Sequence, residues 1–307
     1  VFFDLYLEAI MDIALALGGG GSRGYSHVGV LRRLEQEGYR VRAVAGTSAG
    51  GIVGTLYAAG YTPDEMETKL AKLDQSKLFG RSSGKGPSIL GLGGATRVLE
   101  EFLGDLTFEK LKLPCAVVAA DIKSGQEVVL REGCVVDAVL ATCAIPAVFP
   151  PQQIGEHQLV DGATLDPVPV SVARSLAPSL PTVAVVLTPQ LGRERNLLSL
   201  HFPSRIPAPI IERLSHLRLA QALNIYLQAT DVGARMLTEL RLKLDAPDVI
   251  VRPDVEGIGL LDTVDVHKVI RLGEEAMDAA LPDLKRATAW PNRLRRKYSG
   301  LGRRNEA

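Results

Sequence analysis

Apolar positions along the chain switch repeatedly between two periods. Short, densely apolar runs at residues 12–17, 41–45, 115–120, 127–130, 158–160, 182–187 and 248–253 read as strands, most of them buried on both faces. Between them, residues 25–37, 49–59, 63–73, 95–102, 135–143 and 168–176 carry helical spacing. Strand and helix in alternation predict an α/β three-layer sandwich around a mostly parallel sheet. Pro146, Pro150 and Pro151 stop one helix and re-extend the chain toward the strand at 158–160. Beyond Thr188 the character changes. Pro203, Pro207 and Pro209 precede a long helical pattern at 209–240, in which Ile211, Leu214, Leu217, Leu219 and Leu223 recur near helical spacing. A helix packed on the sheet is the default reading there, and a lipid-facing amphipathic surface the alternative. A further helix at 263–281 completes a helical C-terminal extension.

This pattern divides the chain into one main unit at 11–190, a helical part of the same domain at 191–290 and a basic tail at 291–307. In the tail Arg293, Arg295, Arg296, Lys297, Arg303 and Arg304 face only Glu306, which suits either anionic lipid headgroups or plain solvation. Residues 1–10 carry Asp4 and Glu8 and lack a basic start, so no export signal is read there. They are expected to be a non-native or disordered extension. The Gly- and Ser-rich stretch at 80–94, with Ile89, Leu90 and Leu92, reads as a surface loop or as an apolar flap over a site.

Composition narrows the function classes. With 307 residues, 46% hydrophobic and a formal net charge of zero, the chain has material for one substantial core. Aromatic residues at 5% and the neutral balance argue against nucleic acid as a partner. Cys115, Cys134 and Cys143 are scattered without ligand-like spacing, so they read as reduced thiols of a cytoplasmic protein, and no metal is expected. No run reaches 18 uninterrupted apolar residues; 41–61 comes closest, and glycines break it.

Those glycines belong to Gly46-Thr47-Ser48-Ala49-Gly50, which joins a strand to a helix. A serine at such a junction reads as a nucleophile elbow: glycines permit the sharp reversal and the turn exposes the hydroxyl at the helix N-terminus. Upstream, the first strand runs into Gly18-Gly19-Gly20-Gly21-Ser22-Arg23-Gly24 and then a helix, a loop that turns backbone N–H groups toward an anion. Gly19, Gly21 and Gly24 satisfy the dinucleotide fingerprint, yet no Asp or Glu occurs between Glu37 and Asp64 to hold a ribose. A phosphate loop fails as well, because no Lys-Ser/Thr pair ends it. No nucleotide is expected. An oxyanion hole remains, beside the plainer reading of a loop that allows close strand–helix packing. A third motif, Asp161-Gly162-Ala163, ends a short apolar strand; alone it reads as a turn.

Taken together, GGGGSRG, GTSAG and DGA resemble the patatin-like phospholipase family over residues 11–173, with support from YSHVGVL at 25–31, AADI at 119–122 and AIPAVFPP at 144–151. The tail beyond matches the bacterial, single-domain branch of that family. The resemblance implies a serine–aspartate dyad without a catalytic histidine: Ser48 as nucleophile, Asp161 as general base, and Gly19, Gly20 and Gly21 as oxyanion-hole backbone. It implies supporting roles for Gly24, Gly46, Gly50 and Gly162, and a bracing role for Arg23, whose alternative is a solvated arginine at a helix start. No cofactor is implied. The implied substrates are fatty-acyl esters of phospholipids or related lipids, met in transient contact with a membrane surface. A broad carboxylesterase or acyltransferase, and a low-turnover lipid-binding regulator on the same fold, stay open beside this. An aspartate of reference pKa about 3.9 is a weak base for an alcohol, so oxyanion stabilisation of roughly 3 kcal/mol per donor must carry much of the barrier. Among the histidines, His201, His216 and His267 follow Asp161 in order but read as surface or capping residues; His27 reads as structural, and His157 sits in a turn.

Overall fold

Along Met11–Leu17 (β1) the large residues Ile13, Leu15 and Leu17 enter one core and Ala16 enters another on the opposite face. This strand lies inside a sheet buried on both sides, in a computed structural model that describes residues 11–78, 80–81, 90–190 and 210–289. The other strands are β2 (Tyr39–Thr47), β3 (Gly80–Arg81), β4 (Leu90–Gly91), β5 (Cys115–Asp121), β6 (Gln126–Leu130), β7 (Gln152–Ile154), β8 (His157–Asp161), β9 (Thr182–Val185) and β10 (Val249–Val251). The helices are α1 (Ser26–Gln36), α2 (Ala49–Ala59), α3 (Pro63–Leu70), α4 (Gly93–Leu103), α5 (Val135–Thr142), α6 (Val170–Leu176), α7 (Ile210–Asp245) and α8 (Val266–Thr288). The main sheet runs β10-β9-β1-β2-β5-β8-β7 with β6 paired to β5; β10 to β5 are parallel and the β6, β7 and β8 pairings antiparallel. Helices on both faces complete the three layers.

The two cores differ in grain. One packs Leu31, Leu56, Met66, Phe102, Ile270 and Met277 from five helices against the large strand residues. The other holds Ala16, Ala45, Ala116 and Ala184 under Val170, Val172 and Leu242, where small side chains let α6 and the end of α7 sit close to the sheet.

The structure departs from the sequence reading at three places. A hairpin partner, β7, precedes β8; its sequence, Gln152-Gln153-Ile154, is too polar and short to announce a strand. Helix α8 runs to Thr288 through Pro282, because Leu284, Ala287 and Thr288 continue the buried stripe of Met277 and Leu281 and offset the proline's missing hydrogen bond. Leu92, read within a surface loop or flap, is buried in the larger core. Residues 1–10, most of the 80–94 stretch, the prolines at 203, 207 and 209 and the basic tail lie outside the described residues.

Helix α8 crosses α1 at glycines on both sides: a Cβ on Gly29 would lie 1.9 Å from the Ile270 carbonyl oxygen, and one on Gly273 1.9 Å from that of Ser26. Helix α7 is fastened by Arg241, which donates to the Leu165 carbonyl (3.3 Å) and Glu127 (2.5 Å) and lies 3.7 Å from Asp166 and 4.0 Å from Asp245. Asp166 is fully buried, with Arg241 and the Val168 backbone N–H the groups that favour its charge. Burial pushes its carboxyl up to about 7; the Arg241 charge opposes this, while Glu127 and Asp245 add to it.

Gly273→Leu should therefore force the helices apart and lower stability by roughly 2–3 kcal/mol in urea unfolding, where a surface substitution such as Lys285→Ala should change little. For Asp166, a folded pKa above the unfolded value means that its contribution is fully present at low pH and is lost as pH rises from about 4 through about 7. Asp166→Asn should raise stability by roughly 1–3 kcal/mol at pH 8, with the gain shrinking toward pH 5. Thermal melts across that range check it, and a pH-independent difference would refute it.

Candidate active site

Ser48 joins β2 to α2 with φ 53 and ψ −120, a left-handed conformation that costs a non-glycine residue about 1–3 kcal/mol. The turn closes because its neighbours lack side chains: a Cβ on Gly46 would lie 2.3 Å from the Gly50 carbonyl oxygen, and one on Gly50 2.1 Å from that of Leu17. Two hydrogen bonds hold it. The Ser48 N–H donates to Thr142 Oγ1 (2.9 Å), whose hydroxyl donates in turn to the Val118 carbonyl. The Ser48 carbonyl accepts from the Ile52 N–H (3.1 Å), which starts α2. Ser48 is 6% exposed, so its neighbours enclose it almost entirely.

The sheet brings Asp161 to this serine by an edge substitution. β2 pairs with residues 115–118 of β5, up to Thr47 opposite Val118; β6 holds the other edge of β5 along 117–121. β8 must then take the β2 edge where β2 leaves it, and Asp161 stands opposite Ala119, one residue beyond Val118. Asp161 accepts a hydrogen bond from the Ala163 N–H (2.8 Å), and the Ser48 hydroxyl lies near enough to favour its charged form. Burial pushes its carboxyl up to about 6, against the opposing pull of those two groups. Gly162 follows because a Cβ there would lie 2.1 Å from the Val118 carbonyl oxygen.

The Gly loop lies over both. A Cβ on Gly19 would sit 3.4 Å from the Ser48 Cβ and 3.6 Å from the Ala163 Cβ, so the three motifs meet within one van der Waals shell. Of the three N–H groups expected to serve as oxyanion donors, that of Gly19 is taken up by the Pro167 carbonyl (3.0 Å). The N–H groups of Gly20 and Gly21 have no acceptor among the described residues. Gly21 needs its positive φ of 56, and a Cβ on Gly24 would lie 2.5 Å from the Ala49 Cβ, which fixes the loop against α2. Arg23 is 2% exposed and donates through Nε to the Ile258 carbonyl (2.7 Å), so it braces the loop and is not a solvated side chain. His27 is buried, bonds through Nε2 to the Gly18 carbonyl (2.8 Å), and burial holds its pKa down to about 4; it is a neutral prop for the loop.

Two neighbours escaped the sequence reading. Thr142 positions the Ser48 amide, and Cys143 lies against the Ser48 hydroxyl and the Asp161 carboxylate, burial and the carboxylate both pushing its thiol up. Their adjacency at the end of α5, just before the AIPAVFPP segment, was the available signal. Other polar residues stand apart: half-exposed His157 pairs with Asp121, whose carboxylate that pairing and three further hydrogen bonds hold well below the usual range, and His267 pairs with Glu67. His201 and the side chain of His216 lie outside the described residues. Among the described residues no group of three or more His, Cys, Asp or Glu is placed to hold a metal ion, and no helix is long and apolar enough to cross a membrane.

Comparison with known proteins bears on the same residues. An uncharacterised NTE family protein of Mycobacterium tuberculosis is 35% identical over 178 residues, covering 57% of this chain and 49% of that protein. Patatin-like phospholipase domain-containing protein 6 of Mus musculus is 33% identical over 171 residues, 53% of this chain and 13% of the mouse protein. The chain thus spans about half the length of the mycobacterial relative it matches. Among solved structures, VipD from Legionella pneumophila superposes with a TM-score of 0.54 at 14% identity, covering 88% of this chain and 67% of VipD, a likeness of fold. The family model for patatin-like phospholipase matches residues 15–174, a span that contains the Gly loop, the Ser48 turn and Asp161, and the chain therefore belongs to the patatin-like phospholipase family.

Proposed function

We propose that this chain is a serine-dependent lipid acyl hydrolase acting through Ser48 and Asp161. The observation that carries the reading is the strained Ser48 turn set beside a buried carboxylate, Asp161, whose pKa burial raises to about 6. A base near neutrality accepts an alcohol proton far better than a solvated aspartate does, and remains ionised at pH 7. Asp161 takes the Ser48 proton as Oγ attacks the ester carbonyl. The carbonyl oxygen becomes an oxyanion facing the N–H groups of Gly20 and Gly21 at the start of the 3₁₀ turn Gly21–Tyr25, and Gly19 serves to pin the loop. Collapse of the tetrahedral intermediate breaks the bond to the alcohol, which leaves with the proton from Asp161. Water, deprotonated by the same carboxylate, then releases the fatty acid from the acyl-serine and restores Ser48. No step needs a metal or cofactor. Membership of the family supports fatty-acyl esters of phospholipids or related lipids as substrates, met in transient contact with a membrane surface.

A fluorophosphonate probe and a short-chain fluorogenic ester test the mechanism together. Wild type should be labelled and turn over; Ser48→Ala should lose both, and Asp161→Asn should lose on the order of 10²–10⁴ in kcat/KM while remaining folded. A wild-type protein that neither labels nor turns over, with vesicles present, overturns the reading. The pH profile gives a second check: because the ionised carboxylate is the active form, kcat/KM should fall about tenfold per unit below pH 6 and level off above it. A profile flat from pH 4.5 to 8 excludes Asp161 as the base.

A further inference from the structure

Consecutive carbonyls shortly after Asp161 are each claimed by a different part of the molecule. That of Leu165 accepts from Arg241 Nε on α7 (3.3 Å), that of Asp166 from the Thr47 hydroxyl (2.9 Å), and that of Pro167 from the Gly19 N–H (3.0 Å). Thr47 is fully buried and immediately precedes Ser48, and Gly19 belongs to the loop that lies over that serine. The segment is also anchored at its start: the N–H groups of Leu165 and Asp166 both donate to the Gly162 carbonyl (3.0 and 2.8 Å), one residue past Asp161. Residues 162–167 are thus a joint at which the Asp161 turn, the Ser48 elbow and the Gly loop share one stretch of backbone.

Proline makes this joint stiff. Pro167 fixes its own φ, and its ring disfavours the helical region at Asp166. A displacement at Leu165 is therefore passed to the next two carbonyls rather than absorbed between them. What grips Leu165 from outside is Arg241, whose guanidinium spans the Leu165 carbonyl and the Glu127 carboxylate on β6, with the buried Asp166 carboxylate 3.7 Å away. Its neighbour Leu242 is buried among the alanines of the smaller core, which sets the height of the helix over the sheet. A planar fork suits such a span, whereas a flexible ammonium reaches one acceptor or the other. A second ion pair from α7, Glu239 with Arg252 (2.8 Å), ties the helix instead to the chain just after β10.

We propose that Arg241 is a positioning residue of the reaction: through the Leu165 carbonyl it sets where the 162–167 joint holds the Gly loop and the Ser48 elbow relative to Asp161. The proposal rests on the lipid hydrolase reading for the reaction it serves, and gives a working part to a helix beyond the family match, which ends at residue 174.

Steady-state hydrolysis of a water-soluble butyrate ester by the full chain, together with amide hydrogen exchange at Gly19 read by NMR, tests it. Arg241→Gln deprives Glu127, Asp166 and Asp245 of the guanidinium, so Arg241→Gln/Glu127→Gln is made beside it to spare the fold, and circular dichroism checks both. In the folded variants kcat should fall about 10- to 100-fold with KM little changed. The Gly19 N–H, bonded to Pro167, should exchange about tenfold faster. Arg241→Lys keeps the charge without the fork; it should stay folded with kcat still at least about fivefold below wild type, and it decides the matter if both Gln variants unfold. Arg252→Gln, which loosens α7 elsewhere, should leave kcat and the Gly19 exchange at wild-type values. Wild-type kcat and exchange in folded Arg241 variants overturn the proposal, as does full recovery by Arg241→Lys or an equal loss in Arg252→Gln. Absent turnover of the ester by wild type counts against the hydrolase reading; faster Gly19 exchange confined to the Arg241 variants would then still establish that α7 holds the loop through the joint, and unchanged exchange would refute it.

Discussion

A serine can occupy the left-handed turn after β2 because residues 46 and 50 have no side chains, and the rest of the site is arranged around that turn. The approach of Gly50 to the Leu17 carbonyl brings the end of β1, and with it the Gly loop, against the serine. The approach of Gly46 to the Gly50 carbonyl lets the first turn of α2 pack back against the end of β2. Strain of about 1–3 kcal/mol at one residue is held in place by a close-packed sheet and by Thr142, which satisfies the amide that the turn would otherwise leave unpaired.

The second requirement is a carboxylate kept from water without being neutralised by a cation. Asp161 accepts the Ala163 amide and lies beside the serine hydroxyl, and burial outweighs the pull of both. Asp121, at the end of the neighbouring strand, shows the opposite solution: four donors, including His157, hold it far down the acid scale. Two aspartates at adjacent strand ends thus differ in chemistry through their surroundings alone. Asp121 pins the β5–β6 turn; Asp161 retains a basicity that an alcohol proton can use.

Much of this was legible from local pattern. The run at 49–59 matches α2 end for end, because the elbow fixes its start and Gly60, at φ 102, terminates it. Motifs read one by one at Gly19, Ser48 and Asp161 converge in space. What sequence could not supply was pairing across distance. That β8 replaces β2 along one edge of β5, that Pro167 captures the Gly19 amide, and that Thr142 and Cys143 border the serine all depend on strand order and register, which no local period encodes. The course of α8 past Pro282 is similar: the stripe that carries it through is satisfied by tertiary packing, chiefly against α1.

The hold on Arg23 carries a consequence for where this fold can be divided. Its guanidinium donates to the Ile258 carbonyl, and the adjacent Ser22 bonds the Leu260 and Asp262 carbonyls at 2.8 and 2.7 Å. The family match stops at residue 174, well short of all three. A fragment cut at that point would retain every motif residue and lose the floor on which the Gly loop stands. The boundary of the family-model match and the boundary of mechanical self-sufficiency are therefore different lines, and the segment beyond the match is a structural member of the site.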